Sequence, residues 1–173
     1  LVMYEESIKV PLIMRVPWLG NEGRTLKGRI SQADLVPTLL DLMGEPVPGE
    51  LQGESRLPLL RGEATLEAND VIVQWNGHEA GHEDHSELSI NIPVEEAGRV
   101  LGQPWRTIIS PDGWKLNLSP VDQCELYDLN TDPHEQKNLY GDPQQGDRIR
   151  DLSSRIRRWQ ERTGDEAPLP PTG

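Results

Sequence analysis

Residues 125–139 restrict the structure of this chain more than any other segment. Around Leu126 and Leu129, apolar and polar residues alternate as in a half-buried β-strand. The strand must stop at Asn-Thr-Asp-Pro, residues 130–133, because short polar side chains bond the local backbone. Pro133 also fixes φ and lacks an N–H group. We therefore predict a strand over residues 125–129 that ends in a tight turn.

Further strands and a helix surround this segment. Apolar runs bounded by turn residues predict strands at residues 70–75, 105–110 and 114–119. Pro111-Asp112-Gly113 predicts a hairpin turn, because proline presets φ and glycine accepts a positive φ. The last helix, residues 147–162, repeats apolar side chains at spacings of three and four: Ile149, Leu152, Ile156 and Trp159. The C-terminal part is therefore predicted to be α+β, with a small antiparallel sheet of about four strands packed by this helix.

Arginines crowd the C-terminal half of this last helix, at Arg155, Arg157, Arg158 and Arg162. Their charges complement the helix dipole. A run of charges on a helix is most often a solvated face, and we interpret it so here.

The N-terminal part carries a different pattern. Residues 11–16 are almost continuously apolar, which predicts a strand buried on both faces. Ser31 with Asp34 resembles a capping box, yet a helix starting there would hold Pro37 in its interior. We therefore predict Asp34 as the N-cap and Gly44 as the stop. The apolar positions Leu35, Leu39, Leu42 and Met43 are predicted to form a core face.

Composition excludes some partners. The chain has 173 residues and a formal net charge of -12, from 17 Lys and Arg against 29 Asp and Glu. Such a chain repels phosphate backbones and anionic membranes, so we expect neither nucleic acid nor a membrane as partner. The apolar content of 35% indicates a core that depends partly on contacts with other polypeptide. A single cysteine, Cys124, excludes an intrachain disulfide.

One segment carries a cluster of histidines. His78 and His82 fit the H-E-x-x-H spacing of zinc peptidases, but Gly77 and Gly81 disfavour the helix which that chemistry requires. We interpret residues 76–104 as a loop-like insertion. Imidazoles can donate hydrogen bonds to anionic oxygens, and tryptophan can stack on a sugar ring. Two interpretations stay open: a solvated loop, which is the commoner case, or a substrate-contacting loop formed by Trp75, His78, His82 and His85.

Five blocks of the chain together resemble the sulfatase family. Residues 125–139 are similar to its E-L-Y-D-L-x-x-D-P-x-E-x-x-N-L segment, and residues 4–13 to its Y-E-E-S-I-R-V-P-L-I strand. Residues 31–44 resemble S-x-x-D-L-x-P-T-L-L-D-L-x-G, and residues 52–62 resemble Q-G-x-S-L-x-P-L-L-x-G. Arg106-Thr107 and Trp114-Lys115-Leu116 are similar to its R-T and K-L pair. The blocks occur in family order.

The resemblance implies the C-terminal portion of a sulfatase in the alkaline-phosphatase superfamily. Residues 1–66 would be the end of the large α/β domain, and residues 67–173 the small C-terminal α+β subdomain. The intact enzyme would hydrolyse sulfate esters of a small molecule or a carbohydrate, using a formylglycine and a calcium ion. A sulfate ester is an anion, so an acidic chain would need a local positive cluster or a metal to bind it.

The resemblance also implies that the reacting groups lie elsewhere. Cys124 lies in Gln-Cys-Glu-Leu-Tyr, which departs from the family's C/S-x-P/A-x-R motif for formylglycine. The acidic metal pairs and the sulfate-binding Lys of the family belong upstream of Tyr4. We therefore expect no catalytic residue, metal ligand or cofactor within these residues, and no turnover by this segment alone. It would serve as scaffold and possible rim of the substrate pocket, with the rest of the sulfatase polypeptide as its partner.

Two alternatives remain open. A phosphonate or phosphate monoester hydrolase of the same superfamily has similar C-terminal blocks. A non-catalytic module that binds carbohydrate or a partner protein is the alternative from another class. The coding sequence upstream of Leu1 would separate the enzyme from the module.

Overall fold

The computed structural model of the protein describes residues 3–20, 22–77 and 102–171. Its helices are α1 (Glu5–Ile8), α2 (Leu35–Met43), α3 (Leu57–Arg61) and α4 (Gly146–Thr163). Its strands are β1 (Val71–Trp75), β2 (Trp105–Ile109), β3 (Trp114–Leu118) and β4 (Glu125–Asp128). Each strand begins and ends within one residue of its predicted bounds. Within these ranges, every helix is too short or too polar to span a lipid bilayer.

The described residues divide into two compact units. The first, here called the sheet unit, contains residues 3–8, 72–77, 102–109 and 114–171. The second, here called the helical unit, contains residues 9–20, 22–71 and 110–113. The division of the chain at residues 66 and 67 into two family domains stays a prediction.

The sheet has the strand order β1-β2-β3-β4. β2 and β3 are antiparallel, with Ile108 opposite Leu116, and β3 and β4 are antiparallel, with Leu116 opposite Leu126. In the predicted hairpin turn, the N–H of Gly113 donates to the carbonyl of Ser110 at 2.9 Å, and Gly113 has a φ of 86°. The positive φ explains why glycine follows Pro111-Asp112 here.

One face of this sheet packs against α4. Ile108, Leu116 and Leu126 lie side by side on the strands, and α4 supplies Ile149, Leu152 and Ile156. These side chains and Leu118 are buried, so the face forms the hydrophobic core of the sheet unit. α4 ends at Thr163 and is capped by Gly164, whose φ is 69°. The predicted α+β architecture of sheet and closing helix is confirmed.

The opposite face of the sheet is polar and equally enclosed. By the alternation of strand residues, Thr107, Lys115, Asn117, Glu125 and Tyr127 share this face. All five residues are buried. Polar groups that are taken out of water must find partners, so this face is held by hydrogen bonds and ion pairs rather than by apolar contact alone.

In the helical unit, Ser31 and Asp34, the two possible helix starts in the sequence, both contribute to the beginning of the helix. Ser31 forms a capping box with Asp34 around a 3₁₀ turn at Gln32–Asp34. The α-helix then begins at Leu35, so Pro37 lies in its first turn, where the missing N–H is harmless. Asp34 precedes α2 as predicted, but the capping side chain is that of Ser31.

The predicted core face of α2 is wrong. Leu39 and Met43 are 48% and 64% exposed, and the buried positions of the helix are Pro37 and Thr38. The reason is a polar contact. The hydroxyl of Thr38 donates to the carbonyl of Asp34 at 2.6 Å and accepts from the N–H of Arg56 at 2.9 Å. The bond from Arg56 ties the Thr38 side of α2 to the segment before α3, so this polar side is the buried one.

The buried strand predicted at residues 11–16 is also wrong. These residues form no helix or strand, and Ile13 is 93% exposed. A strand that is covered on both faces needs neighbouring strands and covering layers. Among the described residues, no strand pairs with this segment.

Candidate functional site

The end of β1 is held by one buried arginine. Arg106, which is 2% exposed, donates through Nη1 to the carbonyl of Trp75 at 3.0 Å. Its Nη2 donates to the side-chain oxygen of Asn76 at 2.9 Å. Trp75 is half-buried as the last residue of β1. The guanidinium therefore fixes the backbone at the point where the predicted insertion begins.

Asp165 neutralises this arginine. The Nε of Arg106 donates to its Oδ2 at 2.8 Å, and Nη2 donates to its Oδ1 at 2.5 Å. Gln160 of α4 also donates to Oδ2 at 2.8 Å. The hydrogen bonds from Arg106 hold the pKa of Asp165 below its usual range, against the opposing effect of burial. A planar, two-point pair of this kind fixes orientation as well as charge.

Gly77 and Gly102 lie close together, one on each side in sequence of residues 78–101, which fall outside the described residues. Gly77 has a φ of 79°, and a Cβ at that position would lie 2.2 Å from the carbonyl oxygen of Gly102. Only glycine permits this approach. Residues 77 and 102 therefore lie side by side although 25 positions separate them in sequence.

The histidines predicted to contact substrate lie between these two glycines. His78, His82 and His85 fall outside the described residues, whereas Trp75 lies within them. Their joint role stays a prediction.

A second buried cation lies on the polar face of the sheet. Lys115 of β3 is fully enclosed, and its Nζ lies 2.6 Å from Oε1 of Glu135 and 3.8 Å from Oε1 of Glu5. Glu135 has a φ of 53°, the only positive value among described residues other than glycine. Its Oε2 accepts from the N–H of Glu5 at 2.5 Å. The cluster joins the N-terminal segment, β3 and the turn after β4.

A hydrogen-bonded chain of polar residues continues along the same face. Asn117 accepts from the hydroxyl of Thr107 at 2.8 Å and donates to Glu125 at 2.8 Å. Glu125 also accepts from the hydroxyl of Tyr4 at 3.2 Å. Burial is the largest cause that raises the pKa of Tyr4 and of Tyr127. Both phenols therefore stay neutral at ordinary pH.

Sequence reasoning assigned no role to Lys115 or Glu135. A lysine in a strand and a glutamate in a turn are usually solvated, so composition gives no signal. The signal that was present is position: Lys115 alternates with the core residues Leu116 and Leu118, and it lies in a block that resembles the sulfatase family.

The described residues do not form a reactive centre of the sulfatase type. No three metal-binding side chains converge in the ranges that the structure describes. Cys124 is a half-buried free thiol whose Sγ donates to the carbonyl of Ser119 at 3.6 Å. The contacts of Arg106 and Lys115 fix the backbone, and the polar side chains around them are shielded from water.

Comparison with known proteins shows what this scaffold is similar to. The chain is 27% identical over 166 residues to N-acetylglucosamine-6-O-sulfatase of Bacteroides thetaiotaomicron, which covers 96% of this chain and 27% of that protein. It is 32% identical over 143 residues to Delta 4,5-hexuronate-2-O-sulfatase of the same bacterium, covering 81% of this chain and 26% of that protein. The chain therefore spans about a quarter of the length of these curated relatives.

A solved structure gives the same picture. A 2-O GAG sulfatase superimposes with a TM-score of 0.60 at 27% identity, covering 79% of this chain and 26% of that one. A family model described as N-sulphoglucosamine sulphohydrolase, C-terminal, matches residues 1–92 of the 173. The resemblance predicted from the motifs is confirmed. This chain belongs to the N-sulphoglucosamine sulphohydrolase C-terminal family of the sulfatases.

Proposed function

We propose that this chain is the C-terminal part of a sulfatase that hydrolyses sulfate esters of carbohydrates. The observation that carries the proposal is the family match, together with relatives whose names specify sulfated sugars. The scaffold is consistent with this role, because several residues of the family-like blocks are buried in it, Arg106 and Lys115 among them. Arg106 and Lys115 each anchor a segment at a turn or strand end.

Within the intact enzyme, this chain acts by positioning. Arg106 fixes Trp75 and Asn76 at the end of β1, and the Gly77–Gly102 approach closes the base of the insertion. A substrate group that contacts the start of the insertion would then contact residues whose backbone is already held in place. Fixing such residues beforehand lowers the entropy lost on binding.

The family implies a formylglycine and a calcium ion, and the described residues do not fit them. Cys124 is engaged with a backbone carbonyl, and no three carboxylates or histidines converge in the described part of the chain. Both groups would belong to polypeptide outside these residues. Formylglycine would supply the nucleophile and calcium would neutralise the sulfate oxygens.

We further propose that Trp75, His78, His82 and His85 contact the sulfated sugar. Trp75 is half-buried at the end of β1, where Arg106 holds its carbonyl. Tryptophan offers a face for a sugar ring, and histidines offer donors to sulfate oxygens. The three histidines follow directly in the insertion.

The gene and its product test the enzyme assignment. The coding sequence upstream of Leu1 should contain a C/S-x-P/A-x-R motif and the acidic metal pairs. The protein with that polypeptide should release sulfate from a 6-O- or 2-O-sulfated sugar. Turnover of a phosphonate monoester but of no sulfate ester would replace this proposal by the phosphonate hydrolase. Absence of both the motif and any turnover would leave a non-catalytic module.

Substitution of a single histidine tests the substrate contacts. In the enzyme carrying all of its polypeptide, His82→Ala should raise KM for the sulfated sugar about five- to tenfold with little change in kcat, because one hydrogen bond to an ion is lost. The matched control is His134→Ala, since His134 is exposed and lies in the turn after β4. An equal KM for both variants and the wild type would show that the histidines belong to a solvated loop.

A further inference from the structure

The outer surface of α4 carries a net positive charge in a chain that is acidic overall. We propose that this surface binds an extended sulfated glycan chain through its arginines. The inference rests on the proposed function in its choice of ligand, but the binding it predicts does not require hydrolysis.

The charge distribution is the first observation. α4 contains six of the chain's 17 basic residues: Arg148, Arg150, Arg155, Arg157, Arg158 and Arg162. It contains three acidic residues, so the helix has a net charge of +3 in a chain whose net charge is -12. The other basic residues described in the sheet unit are Arg106 and Lys115, which are buried, and Lys137, which is exposed. The accessible positive charge of the sheet unit is thus concentrated on α4.

The spacing of the arginines is the second observation. Arg148, Arg155 and Arg162 are seven residues apart, so they recur along nearly one line every two turns, about 10.5 Å from one to the next. The inward side of α4 is marked by Ile149, Leu152 and Ile156, which pack on the sheet. The arginine line borders that side, where a linear ligand could run along the helix.

The state of individual side chains supports binding at the C-terminal half. Arg158 and Arg162 are exposed, and neither forms an ion pair within the described part of the chain. Arg155 pairs with Asp151 at 2.6 Å. An exposed arginine without a carboxylate partner can give both of its donors to a sulfate oxygen pair.

An aromatic group lies at the other end of the line. The guanidinium carbon of Arg148 lies 4.4 Å from the ring centroid of Trp114. Trp114 is half-buried at the start of β3. A cation over an indole ring is held in place by the electron-rich face of the ring.

Charge also separates a glycan from a nucleic-acid duplex. A duplex is wide and would bring its phosphates close to the acidic remainder of the protein, with a repulsive cost. A single glycan strand can follow one line of arginines and remain remote from that surface. The surface therefore favours a narrow sulfated polymer.

Binding of the full chain to heparin tests the inference. We expect wild-type protein to bind immobilised heparin at low salt, with an affinity that falls as salt rises. The double variant R158E/R162E should bind at least about tenfold more weakly, since two attractive charges become repulsive. The control is R24E/K27E, which makes the same change in net charge at exposed positions of the helical unit. That control should change the affinity less than about threefold, and both variants should keep the wild-type circular dichroism and melting temperature.

Three outcomes would overturn the inference. These are no heparin binding by the wild type, equal loss in the two double variants, or displacement of heparin by duplex DNA as readily as by free heparin. If the intact enzyme hydrolyses its sulfate ester while R158E/R162E binds heparin normally, the inference fails and the proposed function stands. If heparin binding depends on α4 but the intact protein hydrolyses no sulfate ester, the inference stands and the proposed function fails.

Discussion

The ammonium group of Lys115 lies 2.6 Å from Oε1 of Glu135, and both side chains are closed off from solvent. Glu135 has a left-handed backbone conformation, with a φ of 53°. The same carboxylate accepts a backbone hydrogen bond from Glu5. One glutamate therefore connects parts of the chain that are 130 residues apart in sequence.

Removal of this carboxylate should be costly. Glu135→Gln keeps the shape of the side chain but leaves the buried Lys115 without its nearest negative partner. We expect a loss of about 3–5 kcal/mol in the free energy of unfolding, measured by urea unfolding of the full chain. Glu161→Gln, on the exposed side of α4, is the matched control and should change stability by less than about 0.5 kcal/mol. Equal effects would mean that the pair contributes no more than a surface charge.

Gly77→Ala should destabilise the chain through contact rather than through backbone strain alone. The added Cβ would lie 2.2 Å from the carbonyl oxygen of Gly102. Gly164→Ala isolates the strain, because Gly164 has a φ of 69° and nothing within 4 Å of the new Cβ. We expect about 1 kcal/mol for Gly164→Ala and clearly more for Gly77→Ala in the same unfolding experiment. Equal losses would show that residues 77 and 102 are not in close contact.

The Arg106–Asp165 pair predicts a pH dependence. The arginine holds the pKa of Asp165 below its usual value of 3.8, so the folded state binds this proton less readily than the unfolded state. The pair therefore contributes its full stability above about pH 4, and the contribution is lost as pH falls through the folded pKa. Asp165→Asn should lower the free energy of unfolding at pH 7, and the difference from wild type should shrink below pH 4. Unfolding curves whose difference stays constant down to pH 3 would contradict this.

Two substitutions should distinguish an apolar residue that is buried from one that is exposed. Leu116→Ala removes a fully buried side chain between β2, β4 and α4, and we expect a loss of about 2–5 kcal/mol. Met43→Ala removes a side chain that is 64% exposed, so the expected loss in this chain is below about 0.5 kcal/mol. A large loss for Met43→Ala in the full chain would restore the predicted core face of α2.

The sheet and α4 were predictable because their signals are local. Pro111-Asp112-Gly113 dictates a hairpin, and Asn130 to Pro133 end β4. The apolar spacing of α4 matches the face that packs on the sheet. Each of these features can be predicted from residues that are close together in sequence.

The errors in the helical unit have one physical cause. An apolar pattern predicts that residues 11–16 and the Leu39–Met43 side of α2 are buried, but it does not say against what. Within the described residues these surfaces are exposed, and polar contacts of Thr38 determine the orientation of the helix instead. We expect that the polypeptide which makes up the rest of a sulfatase covers them.

The candidate site was only partly predictable for a related reason. The role of Trp75 and the histidines stays a prediction, and Arg106 and Asp165, which anchor the end of β1, are 59 residues apart. No local pattern pairs them. The buried Lys115–Glu135 contact spans the turn and β4 in the same way.

The touching backbones of Gly77 and Gly102 have an evolutionary consequence. Because residues 77 and 102 lie close together, the stretch of chain between them can lengthen, shorten or be exchanged among homologues without shifting β1 or β2. Lengthening a loop whose two ends are already close together adds little to the entropic cost of closing it. The described framework of β1 and β2 can therefore stay the same while the stretch between them varies.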